Sequence, residues 1–282
     1  EHPSVLAAFE RLREMGHEVR VLAVDSEGAL DYEALGKALN DGASLVSCMQ
    51  VNNETGALLD VQRLKSAVAG RALIHVDGVQ GFLRVPFHFA DVDMYTISAH
   101  KLHGPKGVGA LAVKKGVRLN PQHIGGGQEE DLRSGTENTP GILGMGEAVR
   151  AYPQGAPAEM MTNKRLLWTL IQQRIPGACL NGPAMDDPAC APHILNVSFP
   201  PVRSQTMLFA LEGDGIYVSS GSACASRKQK LSGVLTAMGL PTDRIDSALR
   251  FSLCPGLTKE QMTYTADRLA AHWTLLSRFV RR

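Results

Sequence analysis

The chain has 282 residues, 44% of them hydrophobic and 20% charged, with a formal net charge of +1. That composition suits a globular protein of one large domain or two smaller ones, with a core of ordinary size that needs no staples. The near-neutral charge, without a long basic or acidic run, argues against nucleic acid or an anionic membrane as partner; no apolar run approaches the ~18 residues of a membrane span.

Five cysteines, Cys48, Cys179, Cys190, Cys224 and Cys254, form no CxxC pair and no metal-type cluster. A scattered, odd set fits a reducing compartment, so the expectation is a cytoplasmic protein with no structural metal. No signal-peptide pattern opens the sequence. Residue 1 is Glu and stands directly against a helix start, so the sequence reads as part of a longer chain.

In chain order, residues 3–16 place Val5, Phe9, Leu12 and Met15 at helical spacing and stop at Gly16. A short strand is expected over 18–24, then a helix over 31–40 capped by Asp31. Apolar, β-rich runs follow at 45–51, 72–76, 93–97 and 108–113. They lack polar alternation over much of their length, which predicts strands of a mostly parallel sheet buried on both faces.

Polar residues gather where those runs end. The first runs into Asn52-Asn53-Glu54-Thr55-Gly56, the second into Asp77-Gly78-Val79-Gln80, the third into Ser98-Ala99-His100-Lys101. Open α/β sheets bind ligands outside the carboxyl ends of their strands, so three such endings point to one site.

A glycine-rich stretch near 120–147 reads as loops leading into a helix, and AYPQGAPA at 151–158 reads as a boundary. The expected division is 1–155 and 156–282. The second part should be α+β, with a helix at 159–174, strands at 193–199 and 215–219, and a helix at 258–280. Thr258 and Gln261 form a capping box for the last helix, and Met262, Ala266, Leu269, Trp273, Leu276 and Val280 share one face of it.

Pyridoxal phosphate needs a lysine for its aldehyde, an acid at its ring nitrogen and donors for its phosphate. Lys101, Asp77, and Ser98 with His100 supply these three kinds of group, and Gln80 can bond the phenolic oxygen. Taken singly, each has a plainer reading: a strand-end Asp as turn former, a loop Lys as solvated charge, a loop His with ordinary partners.

The ordered blocks VNNETG, HVDGVQ, SAHKLHGPKG, LRSGTENTP, ILNVSF, SSGSACAS and LRFSL resemble the cysteine desulfurases, the NifS/IscS-type branch of the class-V aminotransferases. The resemblance runs from His2 to the last helix. It implies an α/β architecture, the fold-type I PLP-dependent transferase with a mostly parallel sheet flanked by helices, followed by a smaller C-terminal α+β domain. It also implies pyridoxal 5′-phosphate as cofactor, L-cysteine as substrate, a homodimer, and an iron–sulfur scaffold or other sulfur-acceptor protein as partner.

Carried over by position, Lys101 would hold the cofactor and Asp77 would face its ring nitrogen. Asn53 and Gln80 would bond around the phenolic oxygen and substrate carboxylate, and Ser98 and His100 would hold the phosphate. His2 would stack on the ring and shuttle protons. Thr136 would reach the phosphate in the partner subunit, and Arg250 would grip the substrate carboxylate. Cys224, in SSGSACASRKQK, would be the nucleophile that accepts sulfur as a persulfide. Nearby Arg227, Lys228 and Lys230 would favour its thiolate. Cys48 reads as buried filler, and Cys179, Cys190 and Cys254 receive no role.

Two departures stand out. The family's N-terminal segment, with its Gly/Thr-rich phosphate loop, does not precede His2 here, so this stretch alone should bind the cofactor weakly. Gly78 stands where relatives usually carry Ala. Two other readings stay open: a selenocysteine lyase or small-amino-acid aminotransferase, and an inactive relative serving as a binding subunit.

Overall fold

The computed structural model describes residues 1–220 and 231–279, which build two four-stranded sheets with flanking helices. The helix α1 (Pro3–Glu14) opens the chain, with His2 as its N-cap. The helix α2 (Tyr32–Asn40) starts at Asp31, whose carboxylate accepts the amides of Glu33 and Ala34, as its cap position requires. Four strands follow: β1 (Leu45–Met49), β2 (Leu73–Asp77), β3 (Met94–Ser98) and β4 (Gly109–Val113). They lie in the order β1-β2-β3-β4, the first three parallel and the last antiparallel. The helix α3 (Val61–Val68), capped by Asp60, makes the crossover from β1 to β2.

One face of this sheet is buried. Val46, Ile74, Val76 and Tyr95 pack against Leu35, Leu39, Leu64 and Val68 of α2 and α3. Burying a side chain of this size contributes about 1.5–3 kcal/mol, which fixes the strand register. The other face departs from the expectation of strands buried on both sides. Side chains alternate along a strand, so Ser47, His75 and Thr96 point away from that core. There His75 joins the Ser47 hydroxyl through Nδ1 at 2.8 Å and the Thr96 hydroxyl through Nε2 at 2.8 Å. Hydrogen bonds between neighbouring strands, not apolar packing, satisfy this half-buried face, and β4 is largely exposed.

The expected strand at 18–24 does not form. Only Val24 bridges, to Leu30, because residues 17–23 run beside no strand among the described residues.

After α4 (Thr139–Ala151), the helix α5 (Ala156–Arg174) leads into the second sheet. That sheet contains β5 (Cys179–Leu180), β6 (Ile194–Ser198), β7 (Ser219–Ser220) and β8 (Ala248–Ser252), in the antiparallel order β5-β6-β8-β7. The strand expected at 215–219 is thus shorter and shifted. The helix α6 (Ser204–Glu212) lies between β6 and β7; α7 (Gly233–Ala237) and α8 (Thr242–Asp246) precede β8. The last helix, α9 (Lys259–Leu276), begins at Thr258 with the capping box intact. Met262, Ala266 and Leu269 of α9 meet Leu167 and Ile171 of α5 and Leu195, Val197 and Phe251 of the sheet in one core. Val280 lies outside the described residues.

The two sheets join along one seam. The turn after β1 bonds the loop before β6: the Ala191 amide donates to Gly56 at 2.9 Å, the Leu58 amide to Ala189 at 2.8 Å. From β6 itself, Asn196 Nδ2 donates to the Glu54 carbonyl at 3.0 Å.

Candidate active site

Because β1, β2 and β3 are parallel, their carboxyl ends lie along one edge, and each runs into a turn that carries polar side chains. After β1, Asn52 Oδ1 accepts the amides of Glu54 at 2.9 Å and Thr55 at 3.0 Å, a side-chain turn that presents Asn53. After β2, Asp77 is 6% exposed and its Oδ1 accepts the Val79 amide at 2.9 Å. The turn carrying Gln80 follows. After β3, the chain enters a 3-10 turn over Ala99–Leu102 that carries His100 and Lys101. There the Ser98 hydroxyl lies 2.7 Å from His100 Nδ1.

Arg84 ties two of these turns together. Its Nη1 reaches Gln80 Oε1 at 3.4 Å and its Nη2 donates to the Lys101 carbonyl. The register supports the same proximity: Asp77 pairs with Thr96, two residues before Ser98. From the second sheet, Arg250 on β8 places Nη1 3.0 Å from the Asn53 carbonyl. Asn53, Asp77, Gln80, Ser98, His100, Lys101 and Arg250 are therefore gathered at one edge, with the acid and the amine on neighbouring strand ends.

The start of the chain reaches the same edge. Glu1 Oε1 accepts the Met49 amide at 2.7 Å, and burial raises the Glu1 pKa. His2 is exposed, its Nδ1 2.7 Å from the Ser4 hydroxyl, and near enough to Glu54 to favour that carboxylate's charged form. Thr136 stands exposed ahead of α4 and makes no hydrogen bond to this cluster among the described residues. Cys224 lies outside the described residues. Both flanks of its segment nevertheless attach here: Ser219 pairs with Arg250, and Ser232 donates to Glu54 Oε2 at 2.5 Å.

Several shifts tune this edge. Partial burial, with the Lys101 and Lys106 charges, lowers the His100 pKa and favours the neutral ring. Burial raises Glu54, against its bond from Ser232 and the charge of Arg250. Burial pushes the Cys48 thiol up to about 12, in keeping with its reading as inert filler. Arg84 and Ser232 are participants that the sequence reading missed. Glu54 lay inside a recognised block without a role, but nothing local in the sequence marks Arg84, whose partners come from two other turns.

Residues 1–264 match the aminotransferase class-V family model. The chain belongs to the aminotransferase class-V family. It is 40% identical over 269 residues to a cysteine desulfurase of Nostoc sp., across 93% of this chain and 66% of that protein. It is 38% identical to the cysteine desulfurase IscS of Dictyoglomus turgidum, across 95% and 69%. The chain thus spans about two thirds of the length of these relatives. Among solved structures, a NifS-like protein superposes with a TM-score of 0.88 at 35% identity, covering 98% of this chain and 73% of that one. A structure of SspA in complex with cysteine matches with a TM-score of 0.77 at 29% identity, covering 90% and 72%. The fold is accordingly that of the fold-type I transferases, present in part, and the family depends on pyridoxal phosphate.

The residues at the edge fit that cofactor. Asp77 is a buried carboxylate held by a backbone amide, the kind of group that a cationic ring nitrogen requires. Ser98 and His100 bring hydroxyl and ring donors to the next strand end, beside Lys101. Arg250 Nε is buried and has no hydrogen-bond partner among the described residues, an unsatisfied donor at this edge. No helix among the described residues is long and apolar enough to cross a membrane, and no cluster there has a metal's ligand set.

Proposed function

We propose that the protein containing this chain is a pyridoxal-phosphate-dependent cysteine desulfurase, and that Cys224 carries the removed sulfur as a persulfide. The observation that carries the reading is the convergence of Asp77, Lys101 and Arg250 on one sheet edge, with both flanks of the Cys224 segment attached to it.

When bound, the cofactor supplies an electron sink for the carbanion left when the substrate's α-proton departs. Asp77 would keep the ring nitrogen protonated. Lys101 would hold the cofactor and act as the base for the substrate's α-proton. Ser98 and His100 would hold the phosphate, Gln80 and Asn53 the phenolic oxygen and substrate carboxylate. Arg250 would clamp that carboxylate with a two-pronged contact. His2 would face the ring and move protons. The Cys224 thiolate attacks the substrate sulfur, forming an S–S bond as the substrate C–S bond breaks. Protons returned to carbon balance the products, L-alanine and the Cys224 persulfide.

The same reading divides the chain at 155/156 into a cofactor-binding part and a smaller part that carries the thiol. It places the protein in the cytoplasm as a homodimer, with Thr136 reaching the partner subunit's phosphate. The persulfide passes to an iron–sulfur scaffold or another sulfur-acceptor protein. A Cys224→Ser variant of the full-length protein should bind cofactor with an unchanged absorption spectrum and release alanine from cysteine at background rate. Undiminished alanine and sulfide from that variant refute the role of Cys224. Keto-acid transamination in place of desulfuration refutes the activity.

A further inference from the structure

Lys164 projects from α5 into the interior and is 1% exposed. Its Nζ has two partners there, the Ala191 carbonyl at 2.7 Å and the Cys190 sulfur at 2.9 Å. Cys190 is 5% exposed and pairs across the seam with Ala57. No carboxylate pairs with Lys164 among the described residues. Burial lowers the Lys164 pKa, while the sulfur's charge opposes that shift. Nitrogen and sulfur thus share one hydrogen bond; as thiolate the sulfur is the nucleophile, and as free amine the nitrogen is.

We propose that Lys164 and Cys190 are a peroxide-responsive modification site that closes into a covalent S–N cross-link. The Cys190 thiolate attacks one oxygen of hydrogen peroxide, the O–O bond breaks, and sulfenic acid forms while the departing hydroxide takes the Lys164 proton as water. The Lys164 lone pair then attacks that sulfur. The S–N bond forms as the S–O bond breaks, and the leaving hydroxide takes the surplus amine proton as a second water. Thiol, amine and one peroxide give the cross-link and two waters; sulfur is oxidised by two electrons and peroxide reduced by two.

The geometry favours this route over further oxidation. A separation of 2.9 Å already brings nitrogen and sulfur as close as the ~3–3.5 Å of reacting atoms in a near-attack arrangement, or closer. The Ala191 carbonyl holds Nζ in place beside the sulfur. Cys179, by contrast, has the Gly177 carbonyl as its one side-chain partner among the described residues. The cross-link would fasten α5 to the loop that bonds Gly56 and Leu58, just behind Asn53.

The test is peptide mapping of the native protein after hydrogen peroxide, quenched with catalase and then unfolded in an alkylating reagent. The expected product joins the Lys164 and Cys190 peptides at a mass two hydrogens below their sum, and dithiothreitol dissolves it. Recovery of Cys190 as the alkylated thiol, when the more exposed cysteines have been oxidised, overturns the proposal. So does its recovery as sulfinic or sulfonic acid on a separate peptide. In Lys164→Arg, which keeps a cation but no primary amine, Cys190 should advance to sulfinic acid. Equal protection in that variant also overturns it.

Discussion

Arg250 and Asn53 are 197 residues apart in the chain, yet the guanidinium Nη1 of one lies 3.0 Å from the carbonyl of the other. That bond lets a strand of the second sheet reach the ligand-binding edge of the first. It occupies one nitrogen of the guanidinium fork and leaves Nε buried without a partner among the described residues. Lysine, a single point charge, cannot make both contacts.

Arg250→Lys in the full-length enzyme should therefore raise KM for cysteine and lower kcat/KM. A charge-assisted hydrogen bond contributes about 1.5–3 kcal/mol, so the expected fall is roughly 10- to 150-fold. Steady-state kinetics check this, with circular dichroism to verify the fold. An unchanged KM would remove Arg250 from the substrate's carboxylate.

Arg84 joins the turn after β2 to the turn after β3 through Gln80 Oε1 and the Lys101 carbonyl. Arg84→Met should cost about 1–3 kcal/mol of stability, since it removes a donor to the part-buried Lys101 carbonyl. It should also weaken cofactor binding by loosening the turn that carries Lys101. Urea unfolding and cofactor titration measure the two effects; Arg84→Lys should recover part of the stability.

Gly78 answers the close approach of Tyr95. A Cβ at position 78 would stand 1.9 Å from Tyr95 Cζ, and the Tyr95 hydroxyl is fixed by its bond to Gln50 Oε1 at 2.5 Å. Glycine at 78 leaves the room that this ring fills. Gly78→Ala should destabilise by about 1–3 kcal/mol through overpacking. Combining it with Tyr95→Leu should cost less than the two single changes added together. Additive costs in thermal or urea unfolding would break the link.

His193 is 3% exposed, and neither ring nitrogen has a hydrogen-bond partner among the described residues. Burial, with the charges of Arg84 and Lys164, holds its pKa well below 6.5. The unfolded chain therefore takes up a proton as pH falls through 6.5, and the folded chain does not. This contribution is complete above that value and is lost as pH falls below it, by about 1.4 kcal/mol per pH unit for one proton. Glu1 and Glu54, raised by burial, act in the opposite sense as pH rises above their unfolded value of 4.5. Urea unfolding at pH 7.5 and 5.5 should show a smaller difference in His193→Gln than in the parent; an equal difference would exclude His193 as the source.

The helices with strong caps were readable from local chemistry. Asp31 and the Thr258–Gln261 box mark their helix starts wherever the rest of the chain lies. The strand over 18–24 failed for the opposite reason, because a strand exists only through a neighbour that local pattern cannot supply. The polar face through Ser47, His75 and Thr96 was missed likewise: three residues that read singly as minor interruptions become one bonded row only in register.

Sequence by itself determined the residue types, their order and the strand-end positions of Asn53, Asp77 and Lys101, because turn chemistry and periodicity are encoded over a few neighbours. Tertiary structure alone decided that Arg84 spans two turns, that Arg250 meets Asn53, that Gly78 makes room for Tyr95 and that Lys164 lies against Cys190. Those pairs come from packing two sheets along a seam, and packing depends on shape and distance between segments that carry no mark of each other.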